Sequence, residues 1–154
     1  MSENYSDILY RVLEETLENL AFMFAEEVDA NEISTADTEW VEGTMNFSGD
    51  LHNGTLTMIV PNNISNELAG NILGIDDFSE EAAKLGQDSL KEVLNVICGR
   101  VLTEIYGEEP LFELSIPELK TIKGYKETKD QEQENICYAL VDDIYPVIMK
   151  FEQK

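Results

Sequence analysis

The sequence predicts an α+β fold, a mainly antiparallel sheet covered by helices. Two observations predict it. Near the N-terminus and again in the middle of the chain, apolar residues recur at three- and four-residue steps, the spacing of amphipathic helices. Elsewhere, short runs rich in β-branched and apolar residues lie beside turn signals, giving the order helix, two strands, helix, long helix, then three or so strands. The length of 154 residues suits a single domain over 1–154, and an apolar content of 43% is enough for a sizeable core.

Ile8, Leu9, Val12, Leu13, Thr16, Leu17, Leu20, Phe24 and Val28 share one side of a helix expected from about Asp7 to Val28, with Glu14, Glu15, Glu18, Glu26 and Glu27 largely outside. Trp40 to Phe47 and Thr55 to Val60 read as strands, with Ser48-Gly49-Asp50 and Asn53-Gly54 as turn signals. Pro61 ends the second strand. Ile64, Leu68, Ala69, Ile72 and Leu73 make a short amphipathic helix that Gly74 stops. Ser79 with Glu80 and Glu81 reads as the start of a long helix running to Tyr106, closed by Gly107, with Gly86 as a kink or junction inside it. Leu111 to Ile116 is strand-like, and Pro117 pushes Ile116 toward extended geometry. Lys126 to Glu134 is a polar stretch without periodicity, read as a connection. Ile136 to Val141 and Ile144 to Phe151 read as paired strands around Asp142-Asp143, and Pro146 suits an edge strand or a bulge.

Composition excludes several functions. Ten basic against 32 acidic side chains give a formal charge of −22, which repels nucleic acid and anionic membrane at long range. Most of those acids are a solubilising surface. Met1 to Asp7 has neither a basic start nor a following apolar run, so no signal peptide is expected, and the chain reads as soluble and cytoplasmic. Cys98 and Cys137 lie far apart, no CxxC pair exists, and the single His52 sits in a turn-like stretch. A metal site is therefore unsupported, and the cysteines read as free buried thiols.

One helix carries more chemistry than its neighbours. At about 100° per residue, Leu90, Val93, Leu94, Ile97, Val101 and Ile105 fall in one arc. Asp88, Glu92, Asn95 and Gly99 fall in the opposite arc, each a turn from the next. Solvated helix faces commonly carry such residues, and Glu-x-x-Asn occurs twice, about as often as 22 Glu and 11 Asn would give by chance. The second occurrence, Glu132 to Asn135, lies in the polar connection and is set aside. Asn95 and Gly99 distinguish the first: both are poor helix formers, glycine by roughly 1 kcal/mol against alanine. A glycine beside an exposed amide lets another protein's backbone approach closely.

These residues resemble the CheC/CheX/FliY family of chemotaxis phosphatases. Its mark is Asp or Ser, three residues, Glu, two residues, Asn, and a downstream proline. Asp88-Ser89-Leu90-Lys91-Glu92-Val93-Leu94-Asn95 fits, and Pro117 follows after twenty-one intervening residues, one short of the family spacing. Asn95-Val96-Ile97-Cys98-Gly99, Ser115-Ile116-Pro117 with Gly124, and Gly49 to Met58 with Leu68 to Gly74 extend the likeness over roughly Trp40 to Phe151, most similar to CheX. CheC-like members carry a second motif on the first helix. Here that helix offers Glu15, Glu18 and Asn19 without Glu-x-x-Asn, so one active face per chain is expected.

The resemblance implies hydrolysis of the aspartyl phosphate of a CheY-like response regulator, in chemotaxis or a related two-component pathway. It implies Glu92 and Asn95 as catalytic residues, with Asp88 and Gly99 as partner contacts. It further implies a homodimer joined through sheet strands, and Mg²⁺ held by the regulator, with no cofactor of the chain's own. Two other readings remain at this stage. One is a non-catalytic adaptor that binds a regulator or a flagellar-motor component. The other is an unrelated hydrolase using paired carboxylates such as Glu104 and Glu108, which lacks a histidine base or a nucleophile elbow.

Overall fold

Helix α1 (Ser6–Ala21) buries Leu9, Val12, Leu13, Thr16 and Leu17, the face its spacing predicts. The computed structural model describes residues 4–33, 39–76, 78–123 and 135–154. Against expectation, α1 stops well before Val28. Phe22 adopts the left-handed conformation at φ 54°, and the N–H groups of Phe22 and Met23 turn back to the carbonyls of Glu18 and Leu17, both at 3.2 Å. That pattern closes a helix. The residues that follow join the sheet instead: β1 (Ala25–Glu27) pairs with β6 (Ile136–Val141). Sheet pairing thus overrides the helical periodicity of Phe24 and Val28, leaving Phe24 exposed and Val28 half-buried.

The remaining strands are β2 (Glu39–Ser48), β3 (Asn53–Pro61), β4 (Glu113–Leu114), β5 (Glu118–Lys123) and β7 (Tyr145–Gln153). The sheet runs β1-β6-β7-β3-β2, and both β4 and β5 pair along the outer side of β2. Every pairing is antiparallel. The β2–β3 turn is closed by Gly49 N–H donating to the His52 carbonyl at 2.9 Å. Asn53 and Gly54, expected in that turn, instead open β3 opposite Ser48 and Phe47. The β6–β7 connection is a three-residue turn, since Val141 pairs with Tyr145; Ile144, expected in the strand, lies in that turn, where Asp142 and Asp143 take φ 52° and 58°. Pro146 lies in β7, a central strand. The β3 partnership of β7 begins only at Ile148, so at Pro146 the strand has a ladder on one side alone.

The stretch Leu111 to Ile116 contributes only the two-residue β4, and β5 was not expected. Its sequence alternates weakly, and most of its side chains are exposed on both faces. The expected connection 126–134 and Gly124 lie outside the described residues.

Helices α1, α2 (Ile64–Leu73) and α3 (Glu80–Tyr106) cover one face of the sheet. Val41, Met45, Phe47, Leu56, Met58, Val60, Met149 and Phe151 form the floor of that core. A smaller cluster, Ile33, Trp40, Ile59 and Ile148, occupies the opposite face. Gly74 ends α2 at φ 70°, and the Ser79 hydroxyl accepts the Ala82 N–H at 3.0 Å to start α3. Helix α3 runs unbroken through Gly86, so Gly86 is not a junction. A Cβ there would lie 2.9 Å from Cβ of Ser65 on α2, and glycine is what lets the two helices touch. Gly43 does the same beneath α3: a Cβ would meet Leu94 Cδ2 at 3.0 Å.

Gly86→Ala should therefore lower stability despite the better helix propensity of alanine. Overpacking of about 1–3 kcal/mol outweighs a propensity gain of about 1 kcal/mol. Denaturant unfolding followed by the fluorescence of Trp40, the single tryptophan, should show a net loss of about 1 kcal/mol.

Candidate functional site on the outer face of helix α3

Buried apolar side chains, Cys98 and Leu102 among them, seat α3. Leu90, Val93, Leu94, Ile97 and Val101 are all fully buried, and Ile105 is half-buried near the end. With that face down, Asp88, Glu92 and Asn95 are exposed, and Gly99 is partly exposed on the same stripe. Among the described residues no hydrogen bond or ion pair within the chain engages the side chain of Asp88, Glu92 or Asn95. Two acceptor carboxylates and a carboxamide, which both donates and accepts, are thus presented in a row on a rigid rod. A Cβ built on Gly99 meets nothing within 4 Å, so no packing inside the chain requires the glycine.

The stripe has neighbours that the sequence reading did not single out. Thr103 continues it one turn beyond Gly99, and its hydroxyl donates to the Gly99 carbonyl at 3.1 Å. Asn95, Val96, Gly99, Arg100, Thr103 and Glu104 line a shallow concavity of about 290 Å³. Arg100 stands at its side, held by the Glu15 carboxylate and by the Thr16 hydroxyl at 3.1 Å. One turn away Arg11 of α1 pairs with Glu104 at 2.7 Å. The two bridges cross between α1 and α3 in opposite chain directions, so the helices lie antiparallel. Half-exposed pairs contribute little stability, typically under about 1 kcal/mol each. What they do is fix the side chains beside Asn95. Thr103 was legible as the next helical step. Arg100 was not, because its place depends on where α1 packs.

The other candidates dissolve on geometry. Glu104 is engaged by Arg11. Glu15 of α1 is tied to Arg100. A larger cleft of about 910 Å³ lies between the β2–β3 turn and residues 109–113, lined in part by Ser48, Asp50 and His52. The His52 ring stacks on Tyr106 at 4.2 Å, and no hydrogen bond among the described residues joins it to Ser48 or Asp50. A nucleophile–base pair needs that contact. Cys98 and Cys137 are free and buried, and burial pushes both thiols up to about 12, so neither is a thiolate nucleophile near neutrality. Among the described residues no group of three or more His, Cys, Asp or Glu is placed to hold a metal ion. None of the described helices is long and apolar enough to cross a membrane.

Residues 41–140 match the family model of the chemotaxis phosphatase CheX. The chain belongs to the CheX family. No curated protein matches it in sequence. Solved CheX structures share the fold at low identity. The CheX protein of Vibrio vulnificus is 16% identical with a TM-score of 0.69, the match covering 97% of each chain. That of Desulfovibrio desulfuricans is 14% identical with a TM-score of 0.67, covering 96% of this chain and 98% of the other. CheX in a CheX–CheY–BeF3–Mg²⁺ complex from Borrelia burgdorferi is 14% identical with a TM-score of 0.62, over 98% of each chain. The open antiparallel sheet with helices on one face is thus the CheX fold.

Gly99→Ala should raise stability by up to about 1 kcal/mol, since open space surrounds the new methyl group and alanine favours the helix. Its sign is opposite to that of Gly86→Ala on the same helix, and the same denaturation measurement checks it.

Proposed function

We infer that this chain hydrolyses the aspartyl phosphate of a CheY-like response regulator in the cytoplasm. The observation that carries the reading is the unengaged Glu92–Asn95 pair, exposed on a helix whose rotation is fixed by its buried face. Membership of the CheX family supports it, and so does the likeness to a CheX that was solved together with CheY.

The chemistry demands little of the chain. An acyl phosphate is already labile, so catalysis amounts to holding a water in line with phosphorus while charge on the phosphoryl oxygens is neutralised. The water oxygen bonds to phosphorus, the bond to the aspartyl oxygen breaks, and carboxylate and inorganic phosphate leave. Asn95 enters the regulator's site, and its amide orients the attacking water. Glu92 pairs with a regulator lysine and anchors the docked helix. Asp88 contacts the partner at the edge, and Gly99 admits the partner's backbone. The Mg²⁺ belongs to the regulator. The chain also works as a homodimer joined through sheet strands. Strand β5 suits this, because its outer edge carries no strand among the described residues.

Two substitutions separate the roles. Asn95→Ala should cut phosphate release from a phosphorylated regulator by roughly 10²-fold or more, while binding to the BeF3-loaded regulator changes little. Glu92→Ala should weaken that binding by roughly tenfold or more, and Gly99→Ala should weaken it in the same direction. An Asn95→Ala protein with the full phosphatase rate would remove the assignment. Normal regulator binding with no phosphate release by the unaltered chain would turn the reading to an adaptor. Sedimentation equilibrium should give twice the 17.4 kDa chain mass, and a monomer at all concentrations would remove the dimer.

A further inference from the structure

A second surface, at the C-terminal end of α1, has the features of a docking site and no part in the chemistry above. Phe22, Phe24 and Ile144 are large apolar side chains that are 70%, 62% and 63% exposed, and the half-exposed Leu73 lies at the adjoining end of α2. Hydrogen bonds bring the segments that carry them together. The Asp142 carboxylate accepts the Phe24 N–H at 2.9 Å, and the Asp142 N–H donates to the Phe24 carbonyl at 2.8 Å. Ile144 closes the same turn, its N–H donating to Val141. The Asn71 side-chain amide of α2 donates to the Ala21 carbonyl at 2.7 Å.

Two details argue against chance. Phe22 holds the left-handed conformation at the helix stop, a place that glycine fills without strain, and its ring gains almost no burial in return. Phe24 is clamped by both of its backbone groups, so its ring is displayed on a fixed support. Single exposed apolar residues are ordinary, but several of them gathered where three segments meet mark an interaction surface.

Charge selects the occupant. The three segments that meet here, Glu18–Glu27, Leu140–Pro146 and α2, hold six carboxylates and no Lys or Arg. A second copy would bring the same acids against themselves, and an anionic bilayer would be repelled. We propose that Phe22, Phe24 and Ile144 form a docking site for a basic amphipathic segment of a partner protein, its apolar side chains on the aromatic cap and its Lys or Arg residues against the surrounding carboxylates. This is the helix-on-apolar-surface mode of recognition with electrostatic selection added.

The test uses the full chain and three synthetic helical peptides: one with leucine on one face and lysine on the other, one with serine replacing leucine, and one with glutamate replacing lysine. Binding is read by titration calorimetry. Phe22→Gly removes the ring and relieves the left-handed strain, so its melting temperature should be equal or higher while its affinity for the Leu/Lys peptide falls at least tenfold. Asn95→Ala should bind that peptide as the unaltered chain does, which keeps this result separate from the phosphatase reading. The Ser/Lys and Leu/Glu peptides should bind far more weakly. Equal affinity of Phe22→Gly and the unaltered chain would overturn the proposal. So would equal binding of the Ser/Lys peptide, a self-association that Phe22→Gly abolishes, or capture of the chain by phosphatidylglycerol vesicles through this cap.

Discussion

Leu90, Val93, Leu94, Ile97 and Val101 lie in the core between the sheet and the other helices with almost no contact with water, and that burial sets the rotation of α3 about its own axis. At roughly 2 kcal/mol per buried aliphatic side chain, the face is worth on the order of 10 kcal/mol. Turning the helix to hide Asn95 would sacrifice that and would bury carboxylates without partners. Gly43 tightens the constraint by letting Leu94, the residue next to Asn95, settle directly on β2. The outward stripe from Asp88 through Glu92, Asn95 and Gly99 to Thr103 is therefore a consequence of core packing.

Under the proposed function, stability and recognition are divided along the same helix. Gly86 serves the fold, since it admits Ser65 of α2 where a methyl group would collide. Gly99 serves nothing inside the chain and lowers helix stability where it stands. Arg100 and Glu104 are held by α1 across the helix pair, which fixes their charges in place beside the amide. A chain of net charge −22 gains no long-range attraction toward an acidic phosphorylation site. Under the proposed function, docking would rest on shape and on one cation accepted by Glu92, with the approach allowed by Gly99.

Local patterns made much of this legible in the sequence. The face of α3, the Ser79 cap, the Gly74 stop and the β6–β7 hairpin each follow from a few adjacent residues, and the structure has them where their chemistry puts them. What failed depended on partners distant in sequence. Phe24 and Val28 continue the helical spacing of α1, yet pairing with β6 and the Asp142 clamp draw that segment into the sheet. Strand β5 exists because the outer side of β2 is open, not because Glu118 to Lys123 has a strong pattern of its own. Asn53-Gly54 has turn chemistry, but the four residues before it close the hairpin first. Asp88, Glu92, Asn95 and Gly99 were found from one helical wheel. Arg100 needed the packing of α1 to acquire its place beside them.

The most direct test of the central claim is a crystal structure of this chain bound to a regulator carrying BeF3 and Mg²⁺ at its phosphorylation site. The account predicts α3 seated on that site, with the Asn95 amide within about 3 Å of a water in line with the beryllium. A complex in which the regulator sits elsewhere, or in which Asn95 faces bulk solvent, would contradict it.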